Sequence, residues 1–498
     1  MKQNERKMLS RRRFISQSAC SSLGLGGMVN TLAHLSLMSN ALADTTSLND
    51  YKALVCVFLF GGMDSNNVLV PRAGHPSRPD YERFRDVLAI PDGQLQGIAP
   101  ENNADPFGLH PGLGPLAQLF DDGELAFICN TGSLAHPIEH RDDYLNGLVP
   151  VPPQLFSHSD QQTQWQSSIP DKAFQSGWGG RIAELLSPIH NPDGKVSMSI
   201  SLDGLNNFQV GLDGSVVQYA ATKTGAKSFS GYGTNYSSAL NSDGSYRTNA
   251  QGRRLMAFED IMRYTHNHLF EDGYNKIVQR SRDSEGTINA AIAEAEASGV
   301  DYDGIFANAQ HDLGDQLKAV SKLIGGRTCL GNQRQIFFVS MGGFDTHQDQ
   351  NDDLNVLTGR LGGALKAFHD ALGAMAVNDQ VLTCTNSDFT RTFTPNGDDP
   401  TSSGSDHGWG GHQIVMGGPV IGKNLYGTFP NLAVGADDDT DRNRGRWIPT
   451  TSVDQYAAVC ARWLGVEESA LELIFPNLSR FDDPFSVASA NLQFLNLT

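Results

Sequence analysis

Residues 52–60, Lys-Ala-Leu-Val-Cys-Val-Phe-Leu-Phe, constrain the fold more than any other stretch of the chain. A strand with one wetted face alternates apolar and polar residues, whereas this run is apolar almost throughout. It therefore reads as a strand buried on both faces, the pattern of a mostly parallel sheet covered by helices on either side. Gly61-Gly62 end the run, and Met63, Asp64, Ser65, Asn66 and Asn67 follow at once.

The pattern recurs along the chain. Leu125–Asn130 ends at Thr131-Gly132, and Val196–Leu202 ends at Asp203-Gly204. Gln335–Ser340 leads into Gly342-Gly343-Phe344-Asp345-Thr346-His347, and Val381–Asn386 ends near Ser387-Asp388-Phe389. Segments of helical period lie between them, at Trp178–Leu186, Leu255–Glu296, Ile305–Leu323, Leu354–Met375 and Val453–Leu464. Strands alternating with helices predict an α/β fold in which ligands gather at the carboxyl ends of the strands. Gly211–Gln251, rich in Gly, Ser, Thr, Asn and Tyr, breaks the rhythm. With the helical stretch after it, it reads as an irregular and helical insertion at about 211–323, either a lid over the site or a flank.

The N-terminus reads as an export signal rather than part of the fold. Ser10-Arg11-Arg12-Arg13-Phe14-Ile15 is a twin-arginine pattern, with Ser16 where a lysine is common. A weakly apolar region follows and ends at Ala41-Leu42-Ala43, a small-x-small cleavage site. Residues 1–43 are thus expected to be a signal peptide that brings the twin-arginine translocase as a partner. Residues 44–498 are expected to form one domain, exported already folded to the periplasm or beyond.

Composition narrows the partners. The formal net charge is −18 over 498 residues. Such a surface disfavours nucleic acid and anionic membranes, and an anionic substrate would need local cations or a few arginines. Past the signal, no apolar run is long enough to span a bilayer. Five cysteines remain after residue 43, scattered and without a CxxC pair. At least one is left outside any intrachain pairing, and three lie in apolar runs as small hydrophobes.

The chemistry-bearing residues fall at the strand ends. Asp64 follows the first strand. Asp345 and His347 follow the fourth, two apart and so on one side of an extended segment. Asp406, His407 and His412 lie in the glycine-rich Ser403–Gly418 after the fifth. Carboxylates and imidazoles are the donors zinc accepts, and six of them suit two metals, an arrangement that clamps both oxygens of a displacement. A serine at a helix N-terminus is a candidate nucleophile, because the helix dipole favours an alkoxide or a bound anion there. Ser157, in Phe156-Ser157-His158-Ser159-Asp160, fits this, and equally fits a plain helix cap. Ser65, beside Asp64, is its rival. His158 can serve the leaving group or orient a ligand, and Arg391 can pair with a phosphate or sulfate.

Seven segments carry a family resemblance: VFLFGGMDSNNVLVP, FGLHPGLGPLAQLFDDGELAFICNTG, SHSDQQTQW, SGWGGRIAELL, MGGFDTHQDQ, SDFTRTFTPNG and SDHGWGGHQIVMGGPVIGKNLYGTFP. The chain resembles the twin-arginine-exported bacterial family called domain of unknown function 1501, which itself resembles the alkaline phosphatase and sulfatase superfamily. The resemblance implies an alkaline-phosphatase-like α/β domain with two divalent ions. Zinc is foremost, with calcium, magnesium or manganese as alternatives. Asp64, Asp406 and His407 would hold the ion beside the nucleophile, and Asp345, His347 and His412 the second. The superfamily spaces the Asp and His of that second site by three residues, where Asp345-Thr346-His347 has one. The implied activity is hydrolysis of a small-molecule or polymer-borne phosphate or sulfate ester by a metal-activated serine. A non-catalytic metal-containing binding or assembly protein, and a hydrolase of other esters, are the competing readings.

Overall fold

The structure, a computed structural model, describes residues 51–497 apart from 193–194, 227–228, 234–235, 242–243, 264–268 and 488–490. The twin-arginine stretch lies outside the described residues.

The central sheet is built from β1 (Lys52–Leu59), β2 (Leu125–Gly132), β3 (Ser199–Ser201), β4 (Tyr219–Ala220), β5 (Arg334–Met341), β6 (Val381–Ser387), β7 (Gly411–Met416), β8 (Leu425–Gly427) and β9 (Thr451–Ser452). Their order is β8-β2-β7-β6-β1-β5-β3-β4, with β9 also paired to β2. β1 is parallel to both β5 and β6, with Cys56 opposite Phe338 on one side and Cys384 on the other. β7 is the exception, antiparallel to β2 and β6. This is the mixed, mostly parallel α/β sheet expected from the doubly buried runs.

The pleat of β1 shows why it must be apolar throughout. Ala53, Val55, Val57 and Leu59 point into one core and Leu54, Cys56 and Phe58 into the other. The first core is covered by α2 (Gly114–Asp121), α7 (Asp312–Gly325) and α8 (Gln350–Ala374); the second by α3 (His158–Ser167), α4 (Trp178–His190) and α9 (Val453–Leu464). Each Val, Leu or Phe among these β1 side chains stabilises the fold by about 1.5–3 kcal/mol when fully buried. α1 (Arg78–Arg85) packs outside these layers, Tyr81 joining a small third cluster with Val70, Phe393 and Trp447.

The irregular stretch after β4 leads into α5 (Ala250–Arg263) and α6 (Leu269–Ala297). Ile288 and Ala291 of α6 join the first core beside Leu317 and Val320 of α7, so α6 flanks the sheet. α7 itself packs on the β5 face, which makes its residues part of the main layer. Among the described residues no helix is long and apolar enough to cross a membrane. Cys56, Cys129, Cys384 and Cys460 are free and buried, as small core hydrophobes should be, and Cys329 is free and half-buried.

One buried charge has a consequence for stability. Asp454, in the first turn of α9, is fully buried, and both its carboxylate oxygens lack a hydrogen-bond partner. Burial pushes its pKa up to about 7, against the opposing pull of Ser168 and the Arg181 guanidinium. Between the ordinary carboxylate range and pH 7 the folded chain keeps a proton that the unfolded chain has released. Stability therefore falls as pH rises through that window and levels off above it. Asp454→Asn is expected to match the parent near pH 4 and to exceed it by about 2–4 kcal/mol at pH 8. Urea unfolding at both pH values measures this; an equal difference at the two would remove Asp454 as the cause.

Candidate metal centre

Three parallel strand ends lie side by side, and the chain leaving each carries one piece of the site. After β1, Gly61 and Gly62 both take positive φ, 110° and 82°. A Cβ at Gly61 would stand 2.4 Å from the Asp345 backbone nitrogen, and one at Gly62 would stand 2.5 Å from the Phe389 ring. Only glycine permits the chains after β5 and β6 to come this close.

Asp345 is the hub. Its Oδ1 lies 3.4 Å from His158 Nε2, 3.1 Å from His347 Nε2 and 3.4 Å from His407 Nε2. His347 Nε2 and His407 Nε2 are 3.0 Å apart. Among the described residues, His158, Asp345 and His407 form a group whose ligand atoms all lie within 4.8 Å of one another.

Each histidine is oriented through its other nitrogen. His158 Nδ1 lies 2.6 Å from Oδ2 of Asp388, a fully buried carboxylate that also accepts from Gln162 Nε2 at 2.9 Å. His407 Nδ1 donates to the Phe156 carbonyl at 2.7 Å. His347 Nδ1 faces Asp406 Oδ1 at 3.3 Å. Phe156 adopts φ +70°, which helps to set its carbonyl towards His407, and Arg446 lies 4.2 Å over its ring. Phe389 stacks on His407 and packs against His158, closing the apolar side.

The electrostatics are uneven. The hydrogen bond to Asp388 raises the pKa of His158 above the ordinary imidazole value, and burial lowers that of His407. Burial pushes the Asp345 carboxyl up, but the hydrogen bond and charge of Arg391 outweigh it and bring the pKa below the ordinary value. Arg391 Nη1 donates to Asp345 Oδ1 at 2.7 Å.

The donor set suits a divalent metal. His158 Nε2 is buried and faces Asp345 Oδ1 at 3.4 Å, yet it makes no hydrogen bond. Ligands at about 2.0 Å around a tetrahedral zinc stand roughly 3.3 Å apart. The Nε2–Oδ1 and Nε2–Nε2 separations match that spacing.

The structure places several of the expected residues away from this cluster. Asp64 is buried against Arg85, which bonds one carboxylate oxygen together with Gln350 Nε2 at 2.7 Å; burial raises its pKa in spite of Arg85 and Arg391. The structure places a guanidinium beside Asp64, whose other carboxylate oxygen, Oδ1, is buried with no hydrogen-bond partner. His412 lies within strand β7, and the sheet directs its ring into the interior. There Nδ1 accepts the Asn130 N–H at 3.2 Å, the ring stacks on Phe429, and burial depresses its pKa to about 3. Arg391 is fully buried; its Nη1 and Nη2 donate to Asp345 and to the carbonyls of Gly61 and Ser405, while its buried Nε has no hydrogen-bond partner. Asp406 meets His347 and Arg444.

Ser157 is the residue before α3, and its hydroxyl bonds Asp160 Oδ2 at 2.6 Å. Its rival Ser65 is buried, with its hydroxyl 2.9 Å from that of Thr390. Asp388 and Arg85 escaped the reading of the sequence. Asp388 carries a visible signal, since it follows the fifth apolar strand directly; Arg85 carries none.

The family model "Protein of unknown function (DUF1501)" matches residues 51–444. The chain belongs to this family. DUF1501 residues 51–444 include all four groups of the cluster and the carboxylates behind them. No curated protein matches the chain. Among solved structures, PsFucS1 sulfatase from Pseudoalteromonas sp. is similar at 12% identity and a TM-score of 0.34, over 94% of this chain and 77% of that one.

Proposed function

We propose that this DUF1501 protein is a metal-dependent hydrolase of phosphate or sulfate esters, with one divalent ion held by His158, His407 and Asp345 and with His347 completing the set. The observation that carries this reading is the convergence of three Nε2 atoms on one carboxylate oxygen, with all three Nδ1 atoms facing acceptors. An imidazole that donates through Nδ1 presents a lone pair at Nε2, the state a metal requires. Nitrogen and oxygen donors of this kind favour zinc. One ion suffices for this proposal: Asp64 pairs with Arg85, and His412 is buried within strand β7.

When bound, such an ion supplies Lewis acidity to the ester and to water. The protein's own part is separate. Asp388 and the Phe156 carbonyl hold two ligands in one tautomer, and Phe389 keeps water from their apolar side. Ser157, next to His158 in the chain, has Asp160 as a ready acceptor for its hydroxyl proton, the pairing a serine nucleophile needs. The motif resemblance to the alkaline phosphatase and sulfatase superfamily supplies the ester class.

The test is to purify the chain without residues 1–43, measure bound metal, and assay aryl phosphate, phosphodiester and aryl sulfate substrates beside Ser157→Ala. The expected result is one zinc per chain and turnover of one ester class, lost in Ser157→Ala with zinc retained. Full activity in Ser157→Ala would remove the serine and leave water as the nucleophile. Stoichiometric zinc with no turnover would favour a binding protein.

A further inference from the structure

The chain is acidic, so the cations at the rim of the centre decide which anions can approach it. Four arginines lie around the site, and their donors can be followed one by one. Arg85 is fully buried and bonded to Asp64, Asn67 and the carbonyls of Thr392 and Phe393. Arg391 is fully buried and committed to Asp345 and two carbonyls. Arg446 is largely buried, donates through Nε to the His407 carbonyl at 2.7 Å, and lies over Phe156. Arg444 differs. Its side chain is 50% exposed, and its one side-chain partner among the described residues is Asp406 Oδ2, 3.0 Å from Nη1.

The root of Arg444 is fixed. Its N–H donates to Asp441 Oδ1 at 2.7 Å, and its carbonyl accepts from the Thr394 N–H at 3.1 Å. Asp439 gathers the N–H groups of Gly435, Asp441 and Arg446, which ties the loop into one turn-rich unit. The guanidinium thus stands one carboxylate away from His347, on the open side of the cluster, with Nε and Nη2 available.

We infer that Arg444 is the anion-recognising residue of this site, binding the non-reacting oxygens of a tetrahedral oxyanion, phosphate or sulfate, through the planar fork that Asp406 leaves half open. This rests on the hydrolase reading for its ester but not for its measurement. Asp406 then has two tasks: it orients His347 through one oxygen and Arg444 through the other, so the metal and the anion share one support.

The experiment is calorimetric binding of inorganic phosphate and, separately, inorganic sulfate to the zinc-supplemented protein, comparing the parent with Arg444→Gln and Arg444→Lys and measuring zinc content for each. A hydrogen-bonded charge lost from an anion costs about 1.5–3 kcal/mol, so Arg444→Gln should bind the preferred oxyanion ~10–100-fold more weakly with zinc unchanged. Arg444→Lys should fall between them, because it keeps the charge and loses the fork. The arm that binds tells phosphate from sulfate. Equal affinities in parent and Arg444→Gln would overturn the inference. So would a parent that binds neither oxyanion, even if it hydrolyses other esters. Lost zinc with unchanged oxyanion affinity would mean that Arg444 acts only through Asp406 on His347, and would also overturn it. Failure of the hydrolase reading shows instead as absent turnover with oxyanion binding intact.

Discussion

Asp345→Asn is expected to empty the metal centre. Three histidine Nε2 atoms lie within 3.1–3.4 Å of Asp345 Oδ1, so among the described residues this carboxylate is the one that faces all three Nε2 atoms. Replacing a partner behind a metal ligand lowers affinity by about 10–100-fold. Loss of the charged ligand itself should exceed about 100-fold and take turnover with it. Asp388→Asn is the matched control, because it leaves every ligand in place and weakens only the hold on His158. Its loss should stay within the 10–100-fold range of a supporting carboxylate. Zinc titration against a competing chelator measures both, with thermal melting to show that the chains are folded. Parent-like affinity in Asp345→Asn would end the proposal that these residues form a metal centre.

Arg85→Met is expected to produce the largest loss of stability. Arg85 and Asp64 are fully buried and bonded to each other, and the guanidinium also serves Asn67 and two backbone carbonyls. Burial alone already pushes the Asp64 carboxyl pKa up. Removing the cation leaves an uncompensated carboxylate in the interior, a change that costs about 3–5 kcal/mol. The double variant Arg85→Met with Asp64→Asn should recover much of that loss, because no charge then remains to be desolvated. Denaturant unfolding of the single and double variants gives both numbers. The same pair tests the metal count: if Asp64 were a ligand, added zinc would restabilise Arg85→Met. The expected result is no restabilisation.

The parts of this site differ in how openly the sequence displays them. Asp345 and His347 are legible because they stand two residues apart just past an apolar strand, where an extended chain aims both side chains the same way. His407 is legible as an imidazole in a glycine-rich turn after another strand. His412 misleads because its neighbours look like the same turn, whereas it already belongs to β7, and strand geometry sends its ring towards Phe429. Arg391 misleads because a lone arginine near a strand end looks open to an anion until its acceptors Asp345, Gly61 and Ser405 are seen.

The doubly apolar strands, the double glycines and the acids behind them dictate an α/β sheet with polar groups at its carboxyl edge, because burial and backbone sterics act locally and leave their mark in short runs of residues. Which of those polar groups meet is a matter of long-range register. His158 reaches Asp345 across 187 positions of chain because α3 docks beside β6 and places its first residue against Asp388. Asp64 finds Arg85 because α1 packs beside its strand end. Such pairings depend on how helices and strands dock, and no spacing within either segment records them.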